Sequence, residues 1–551
     1  MLRRGMKWRK RAGLLMLVLV VAVMAGCQAL GGVDFNAMLG QSLKVSSYEG
    51  SQSVEFKLLL KEEAMNEAAK EEKALLELIS AVKFELNNVK IAKDGAMSAE
   101  GKLSLGEKSV SFKAEADAKL AVIELEGAKR PIVLHMPELN TAAEGASATA
   151  SDAQLTETMK QMVDVASGYA IHNLPNPAHL SVDPGMTTVG GDSVSGMKIH
   201  AELKGKELWD WVQGYIDALL ADKEGLKSML AELQKLAESQ TEALQTAGAE
   251  SIFGSLPVEQ PDTAQSVDEA ADGIIELLTE LKDGMAETEQ KDQQSLADIF
   301  TDSTYVKGDL FVDTKLDIRQ SVIEVSIKPD MEALEAAAMK EEAAELEEDD
   351  AGSANVTMMN MDDSVPFEGI WMKITSDRWN VNGDVTPVKP QAPVLALDAD
   401  RMAEMQGYEV LREFEPDSVL YDLLRNQAHI TKQTIHMFPD FGKDTPIVTP
   451  AGITLIPLRG TTQGFHASLK KEAGKLIVTD PATGTTISMK TGSNTVNVNG
   501  QTVKWSFPPT LINGVTYVPA RNFVAALGGT VMWEVDDLNS EFRTLVLSRE
   551  P

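Results

Sequence analysis

Alternating apolar and polar residues, the pattern of a strand with one buried face, begin near Tyr48. Val54, Phe56 and Leu58 are the apolar positions of the first run. Similar runs, separated by Gly and charged residues, follow at residues 82–86, 98–105, 109–116, 120–127 and 131–136. They predict an antiparallel meander, in which the charged, helix-favouring segment 61–80 interrupts the first hairpin.

Helical spacing of apolar residues replaces this alternation in the middle of the chain. It predicts helices at residues 154–166, 207–244, 266–286 and 331–350. The stretch 170–196 is rich in Pro, Gly and Asp and is expected to be irregular. Alternation returns at residues 304–328 and 366–379. Residues 48–383 are therefore predicted to form one large acidic α+β domain, an antiparallel sheet plus helices.

Two similar segments near the carboxyl terminus, 454–459 (TLIPLR) and 516–521 (TYVPAR), repeat at an offset of 62 residues. Each predicts a unit of hairpin, strand, helix and strand, and Asn513-Gly514 is a strong hairpin turn signal. Two such units predict a smaller α+β domain over residues 429–551. A Pro-containing linker with a helical segment, residues 384–428, precedes it.

The amino terminus has the pattern of a secretory signal. Residues 3–11 carry six Lys and Arg and no acid, and an apolar run follows at residues 14–24. The run is short for a transmembrane span, which needs about 20 apolar residues. Met24, Ala25 and Gly26 then precede Cys27, the only cysteine in the chain.

The segment Met24-Ala25-Gly26-Cys27 resembles the bacterial lipobox. That resemblance implies cleavage after residue 26, a diacylglycerol on Cys27 and anchoring on the extracytoplasmic face of the cell membrane. Residues 1–26 are then a lipoprotein signal peptide, and 27–47 a lipid-anchored tether. The alternative is an ordinary secretory signal with an incidental cysteine.

The repeat region resembles the copper amine oxidase N-terminal-like domain, also called the stalk domain. The positions that carry the resemblance, with a structural role expected for each, are Pro457, Arg459, Asn513, Gly514, Tyr517, Pro519, Arg521, Phe523, Leu527, Gly528 and Trp533. Residues 460–475 lack the Leu-Gly-x-x-Val-x-Trp ending, so the first helix and strand are expected to be degraded. The region that opens with Cys27-Gln28-Ala29 also resembles surface lipoproteins of spore-forming Gram-positive bacteria.

The family name does not imply oxidase activity for this chain. In the amine oxidases copper is held outside the stalk domain by three His, next to a Tyr in an Asn-Tyr context that becomes a quinone. This chain has no Asn-Tyr dipeptide, no His-x-His and only seven His, and no P-loop, Gly-x-Ser-x-Gly or His-Glu-x-x-His motif. We therefore expect no enzyme activity, no cofactor and no metal site.

Charge is distributed unevenly along the chain. The net charge of −32 argues against nucleic acid as a partner, because phosphate backbones are met with Lys and Arg. Residues 429–551 contain 11 Lys and Arg against 9 Asp and Glu, so the acidity lies before them. Arg459 and Arg521, at matching points of the repeat, are expected to form structural ion pairs or hydrogen bonds, with binding of an anionic wall polymer as the alternative.

The sequence favours a non-enzymatic, lipid-anchored surface protein. Its acidic module is held away from the membrane, and the stalk-type domain contacts a cell-wall polymer or an envelope protein. The alternative is a carrier of a lipid or other hydrophobic ligand, with a groove between the sheet and the helices. A carrier requires a continuous apolar cavity there, whereas a solid core argues against one.

Overall fold

The computed structural model describes residues 34–67, 70–136, 152–238, 265–334, 367–439, 445–535 and 543–551. These residues form two compact units. The first comprises Met1–Leu125 and Pro131–Ala396, and the second comprises Glu126–Arg130 and Leu397–Pro551, each without the undescribed segments. Both units combine helices with antiparallel strands, so the α+β class is confirmed.

One antiparallel sheet forms the framework of the first unit. Its strands are β1 (Tyr48–Leu60), β2 (Ala81–Ile91), β3 (Met97–Leu105), β4 (Lys108–Ala116), β5 (Leu120–Leu125), β6 (Ile132–His135), β7 (His179–Val189), β8 (Asp192–Lys204), β9 (Tyr305–Asp313), β10 (Ile318–Ile327) and β11 (Phe367–Trp379). The spatial order is β6-β5-β4-β3-β2-β1-β11-β10-β9-β8-β7. The predicted meander is therefore present as β2–β6, and β1 joins it to the later strands.

The central strand β1 shows why alternation predicted this half of the sheet well. Val54 lies opposite Phe84 of β2 on one side and Ile374 of β11 on the other, so apolar residues fall on the same face of successive strands. The predicted insertion between β1 and β2 consists of helices α2 (Glu62–Glu67) and α3 (Lys70–Ile79).

The expectation that residues 170–196 are irregular was wrong, because they contain β7 and the start of β8. Gly190 and Gly191 have positive φ and form a two-residue turn, which places Val189 opposite Asp192. Pro184 lies in β7, an edge strand, where a missing N–H is tolerated. Gly196 lies so close to β9 that a Cβ would stand 2.0 Å from the Val312 carbonyl oxygen.

The remaining helices of the first unit are α1 (Phe35–Leu43), α4 (Asp152–His172), α5 (Lys206–Ala221), α6 (Lys223–Glu238), α7 (Gln265–Lys291) and α8 (Gln293–Ile299). The single helix predicted from residue 207 is interrupted at Asp222. This residue ends α5, and its carboxylate accepts a hydrogen bond from the Gly225 N–H at the start of α6 (3.0 Å). Its other carboxylate oxygen accepts one from Asn173 Nδ2 (3.1 Å).

Side chains fill the space between the sheet and these helices. Leu208, Trp209 and Trp211 of α5 are buried against Val306 of β9 and Val325 of β10. A second cluster joins α1 and α4 to the ends of β8, β9 and β10; its buried members are Phe35, Met38, Leu39, Ile171, Ile199, Val312 and Ile318. The helix-covered face of the described sheet is therefore a packed core.

The second unit begins at Leu397, within the segment that the sequence assigned to a linker. Its helices are α9 (Ala399–Glu404), α10 (Gly407–Leu411), α11 (Val419–Asp422), which continues into a π-helical turn (Leu423–Gln427), α12 (Leu458–Gly464) and α13 (Ala520–Ala526). Its strands are β12 (Leu397–Asp398), β13 (Gln433–Met437), β14 (Ile447–Val448), β15 (Thr454–Pro457), β16 (Ser468–Glu472), β17 (Lys475–Asp480), β18 (Thr485–Met489), β19 (Thr495–Val498), β20 (Gln501–Lys504), β21 (Thr510–Ile512), β22 (Val515–Pro519), β23 (Gly529–Val535) and β24 (Arg543–Arg549).

Three small antiparallel sheets surround one core in this unit. Their strand orders are β14-β15-β22-β21, β16-β17-β18-β19-β20 and β13-β24-β23. Phe465, Val478, Ile487, Phe523 and Leu545 meet in the core, each fully buried.

Candidate functional site

The first unit has a groove on the sheet face opposite its helices. The groove has a volume of about 570 Å³ and is lined by residues of β7–β11. Thr187 Oγ1 of β7 donates a hydrogen bond to Gln320 Oε1 of β10 at 2.5 Å, although two strands lie between them in the sheet. The edge of the sheet therefore curls over to form the groove.

Polar groups of both charges line the groove. Gln320 Nε2 donates to Asp377 Oδ1 (2.9 Å), and His200 Nδ1 lies 2.7 Å from Asp309 Oδ1. Lys198 of β8 lies opposite Phe311 of β9, which is buried in the floor. The groove combines these hydrogen-bonding groups with apolar side chains, among them Met186, Phe311 and Val322.

Ser181, His200 and Asp309 lie side by side on β7, β8 and β9, and these residue types recur in hydrolases. Their geometry differs from a catalytic triad. No hydrogen bond joins Ser181 to His200 among the described residues, and His200 Nε2 lies 3.9 Å from Glu202 Oε2. The side chains of His200 and Asp309 are 42% and 59% exposed, so the row lacks a nucleophile–base pair shielded from water.

Next to the groove, the same sheet face carries a network centred on Glu324. Its carboxylate accepts hydrogen bonds from Tyr305 Oη (2.6 Å) and Trp371 Nε1 (3.1 Å) and lies 3.0 Å from Lys307 Nζ. Burial acts to raise the pKa of Glu324, but these hydrogen bonds outweigh it and the pKa is lowered. The carboxylate is thus held ionised in a structural network.

In the described residues there is no metal-binding cluster, and the space between the sheet and the helices is packed. The described residues contain no group of three or more His, Cys, Asp or Glu placed to bind a metal. The packed core between sheet and helices in the same residues argues against the carrier alternative. None of the described helices is both long enough and apolar enough to cross a membrane.

In the second unit the two sequence repeats are related by a local pseudo-twofold axis. Strand β15 of the first copy pairs antiparallel with β22 of the second, and Ile456 lies opposite Val518, its equivalent in the repeat. Leu455 pairs with Pro519, and Pro457 pairs with Tyr517, so the register is symmetric about this pair. Helices α12 and α13 follow the two strands at equivalent points.

Most signature positions of the second copy build the core. Tyr517, Pro519, Phe523 and Leu527 are buried, and the half-buried Trp533 packs against the same cluster. Asn513, Gly514 and Gly528 have positive φ, the first two at the hairpin turn and the third after α13. Pro457 of the first copy is also buried. These residues therefore determine the shape of the domain.

The first copy is intact, and the expectation that its helix and strand are degraded was wrong. Phe465 stands where the second copy has Leu527, and both side chains are fully buried. His466 stands where the second copy has Gly528 and adopts positive φ (54°, against 78° for Gly528). Leu469 replaces Val531 and packs against the core. The motif residues differ, but the roles of Leu527, Gly528 and Val531 are kept; the position of Trp533 is taken by the exposed Lys471.

Because His466 occupies a backbone conformation that glycine adopts without strain, His466→Gly should raise the free energy of unfolding by up to about 1 kcal/mol. Gly528→Ala should lower it by about 1 kcal/mol. Urea unfolding followed by hydrogen exchange of second-unit peptides measures both effects. Gly460→Ala is the matched control, since this glycine lacks positive φ and a Cβ would meet nothing closer than 3.9 Å. The two substitutions are expected to change the free energy of unfolding in opposite directions. Changes in the same direction would contradict the structural equivalence of positions 466 and 528.

The buried charge of this domain escaped sequence analysis. Arg549 of β24 and Asp480 of β17 have fully buried side chains and form a bidentate ion pair. The Nη1–Oδ2 distance is 2.6 Å and the Nη2–Oδ1 distance is 3.0 Å. Arg549 Nε also donates to Gln433 Oε1 (2.7 Å), and Nη2 donates to the Phe465 carbonyl (2.7 Å). The guanidinium lies 4.6 Å from the centre of the Phe465 ring. This pair ties the last strand to the first copy.

Comparison with known families assigns this region. Residues 439–539 match the copper amine oxidase N-terminal domain. A search of curated proteins and a search of solved structures returned no match. The copper amine oxidase N-terminal domain thus spans β14–β23, including both copies of the repeat.

Arg459 and Arg521 mark the starts of α12 and α13 in the copper amine oxidase N-terminal domain. Both are exposed, and neither forms a hydrogen bond or ion pair within the described part of the chain. The expected structural ion pairs or hydrogen bonds are therefore not found among the described residues. Their position at a helix start suggested a structural role there. Both side chains are exposed, however, whereas that of Arg549 is buried in the core.

The remaining sequence-based site is the lipobox, Met24, Ala25 and Gly26, with the lipidation residue Cys27. These four positions lie outside the described residues, as do most of the acidic segment 331–350 and residues 239–244 of the predicted long helix. Lipidation of Cys27 stays a prediction.

Proposed function

We propose that this chain is a non-enzymatic lipoprotein, anchored through Cys27 on the extracytoplasmic face of a cell membrane. The observation that carries the proposal is the position of the lone cysteine. It follows a basic segment, an apolar run and the small pair Ala25-Gly26. Two acyl chains suffice for stable anchoring, whereas one is marginal.

The second unit is proposed as the part that contacts the envelope. The region that matches a known family matches the N-terminal domain of copper amine oxidases, and this domain does not carry their chemistry. Residues 27–428 carry 74 Asp and Glu against 34 Lys and Arg, so anionic surfaces repel them over about 8 Å at physiological salt. Residues 429–551 lack this acidity and can approach such surfaces.

Cys27→Ser tests the anchor. In cells fed a labelled fatty acid, the unmodified chain should carry label and remain with the membrane. The Cys27→Ser chain should lose essentially all label and appear in the soluble fraction. Met24→Leu is the matched control. This variant should still carry the label and remain with the membrane, because Leu is the commoner lipobox residue. Label on the Cys27→Ser chain would contradict the proposal.

The non-enzymatic part is tested at the Ser181–His200–Asp309 row. The chain from residue 28 onward contains all described residues and should turn over no ester, amide or glycoside above background. Turnover that disappears in both Ser181→Ala and His200→Ala would replace the proposal with a hydrolase. Turnover that persists in both variants would point to a contaminating enzyme.

A further inference from the structure

The five-stranded sheet β16–β20 of the second unit leaves one face uncovered by the core. Its inward residues, among them Val478, Ile487, Met489 and Val496, are fully buried. Alternation therefore points the intervening residues away from the core. We call these outward residues of β16–β20, together with Lys490 directly after β18, the lysine face.

One row of the lysine face crosses all five strands. Lys470 lies opposite Ile477, followed in order by Ser488, Asn497 and Thr502. With strands about 4.8 Å apart, the row extends over about 19 Å. Its centre presents hydroxyl and amide groups, and its ends lie near cationic side chains.

The charge of this face is opposite to that of the chain as a whole. Residues 468–504 contain five Lys against two acids: Glu472, which lies on the lysine face opposite Lys475, and Asp480, which is buried in its pair with Arg549. All five are exposed and make no ion pair within the described part of the chain. Lys470, Lys475, Lys490 and Lys504 belong to the lysine face, whereas Lys471 lies on the same side of β16 as Leu469, which packs against the core.

The first unit has both paired and unpaired lysines; Lys44, Lys93, Lys102 and Lys119, for example, make no ion pair within the described part of the chain. Lys206, Lys282 and Lys307 each lie within 4.0 Å of a carboxylate, as do several others. In a chain with 83 Asp and Glu, four lysines on one face, none of them in an ion pair within the described residues, are available to an external anion.

The other residues of the face select among anionic partners. It has no aromatic side chain on which bases could stack, which disfavours single-stranded nucleic acid. Ile477 is its one apolar residue, so it cannot insert into a bilayer as amphipathic surfaces do. Ser, Thr and Asn side chains suit a ligand that carries hydroxyl groups and phosphate oxygens.

We propose that the lysine face binds a linear polymer of polyol units joined by phosphate diesters, of the kind found outside a plasma membrane. Lysines bind the phosphates, while Ser488, Asn497 and Thr502 hydrogen-bond the polyol. The inference rests on the proposed function only in that the chain must reach the outside of the membrane.

Binding of poly(glycerol phosphate) to the chain from residue 28 onward tests the proposal. The variant K470Q/K475Q/K490Q/K504Q removes four lysines of the face, and K44Q/K93Q/K102Q/K119Q removes four exposed lysines of the first unit with the same change in net charge. We expect the face variant to bind roughly 10-fold or more weakly and the control to change little. Wild-type binding should weaken as salt is raised.

Additional variants separate competing explanations. Thr502→Glu adds one negative charge to an exposed position of the row and should also weaken binding, whereas R459Q/R521Q should not. The proposal is overturned if the wild type does not bind, if the face and control variants weaken equally, or if only R459Q/R521Q loses binding. Binding to phosphatidylglycerol vesicles without binding to the polymer also overturns it, in favour of a lipid surface.

One more outcome concerns the sheet edges. Lysines on edge strands such as β16 and β20 can serve to prevent strand pairing between molecules. If the face variant self-associates while its polymer affinity is unchanged, the lysines protect the edges and the proposal fails. Polymer binding in vitro does not require Cys27, so failure here and failure of lipid labelling are independent results.

Discussion

Replacing Arg549 with methionine should lower the free energy of unfolding of the second unit by about 3–5 kcal/mol. The substitution leaves the Asp480 carboxylate fully buried and without its cationic partner. It also removes the donors to Gln433 and to the Phe465 carbonyl, so two more acceptors lose their hydrogen bonds. Urea unfolding, followed by hydrogen exchange of peptides from β17 and β24, isolates the second unit from the first.

A double-mutant cycle with Asp480→Asn apportions the loss. Asp480→Asn alone should also be strongly destabilising, because the Arg549 charge then stays buried. The double variant should lose less than the sum of the two single losses, since neither charge remains. Arg521→Met is the control: this exposed arginine has no partner among the described residues, and its removal should cost under about 0.5 kcal/mol. Additive losses would contradict the pairing.

The same pair predicts how stability depends on pH. Burial acts to raise the pKa of Asp480, but hydrogen bonds from Arg549 and Thr483 and the nearby positive charge outweigh it, so the pKa lies below its ordinary value of 3.8. A lowered folded-state pKa means that the stabilisation is complete above the ordinary value and is lost as pH falls through the lowered one. The gap in stability between wild type and Asp480→Asn should therefore narrow on acidification below about pH 4.

Phe465→Ala should destabilise the second unit by about 3–5 kcal/mol, as much as Phe523→Ala. Both rings are fully buried in the same core, although Phe465 lies in the half of the domain that departs from the family pattern. A degraded first copy would leave Phe465 partly exposed, and its removal would cost little. Comparing the two variants by unfolding in urea tests whether the first copy is folded. A loss under about 1 kcal/mol for Phe465→Ala alone would contradict the structure.

The sequence predicted the parts of the fold in which local pattern and tertiary role agree. Val54, Phe56 and Leu58 alternate with polar residues along the half-buried strand β1, and Val54 lies between the apolar residues Phe84 and Ile374 of the neighbouring strands. Asn513-Gly514 forms the turn that its φ preference favours. The hairpin β7–β8 was missed because Pro184 and several glycines are acceptable only at a sheet edge or against a close neighbour. Edge position is a property of the assembled sheet and is not visible in a local window.

The candidate sites show the same limit. Arg521 follows a Pro at a helix start and drew attention by its place in the motif, yet its side chain is exposed and unpaired within the described residues. Arg549, two residues before the last, belongs to no motif, and its partner Asp480 is 69 residues away. Pairing over that distance depends on β17 and β24 meeting in three dimensions. The one sequence signal that could have indicated it is that Arg549 stands where the alternation of Leu545 and Leu547 predicts the next buried residue of the strand.

The lysine face could be recognised only in the folded structure. Its lysines are spread over residues 470–504 and form no basic run in the sequence. Strand register brings these four to one surface, where the described residues form no ion pair with them. The charge count of residues 429–551 predicted a near-neutral module, and the structure resolves it into a buried ion pair and an exposed cationic face.

The amino-terminal peptide of the protein isolated from its own cells tests the central claim most directly. Mass spectrometry of that peptide should show a chain that begins at Cys27 and carries the added mass of a thioether-linked diacylglycerol. The anchoring proposed above predicts this species in the membrane fraction. A peptide that begins elsewhere, or one with an unmodified Cys27, would contradict the account.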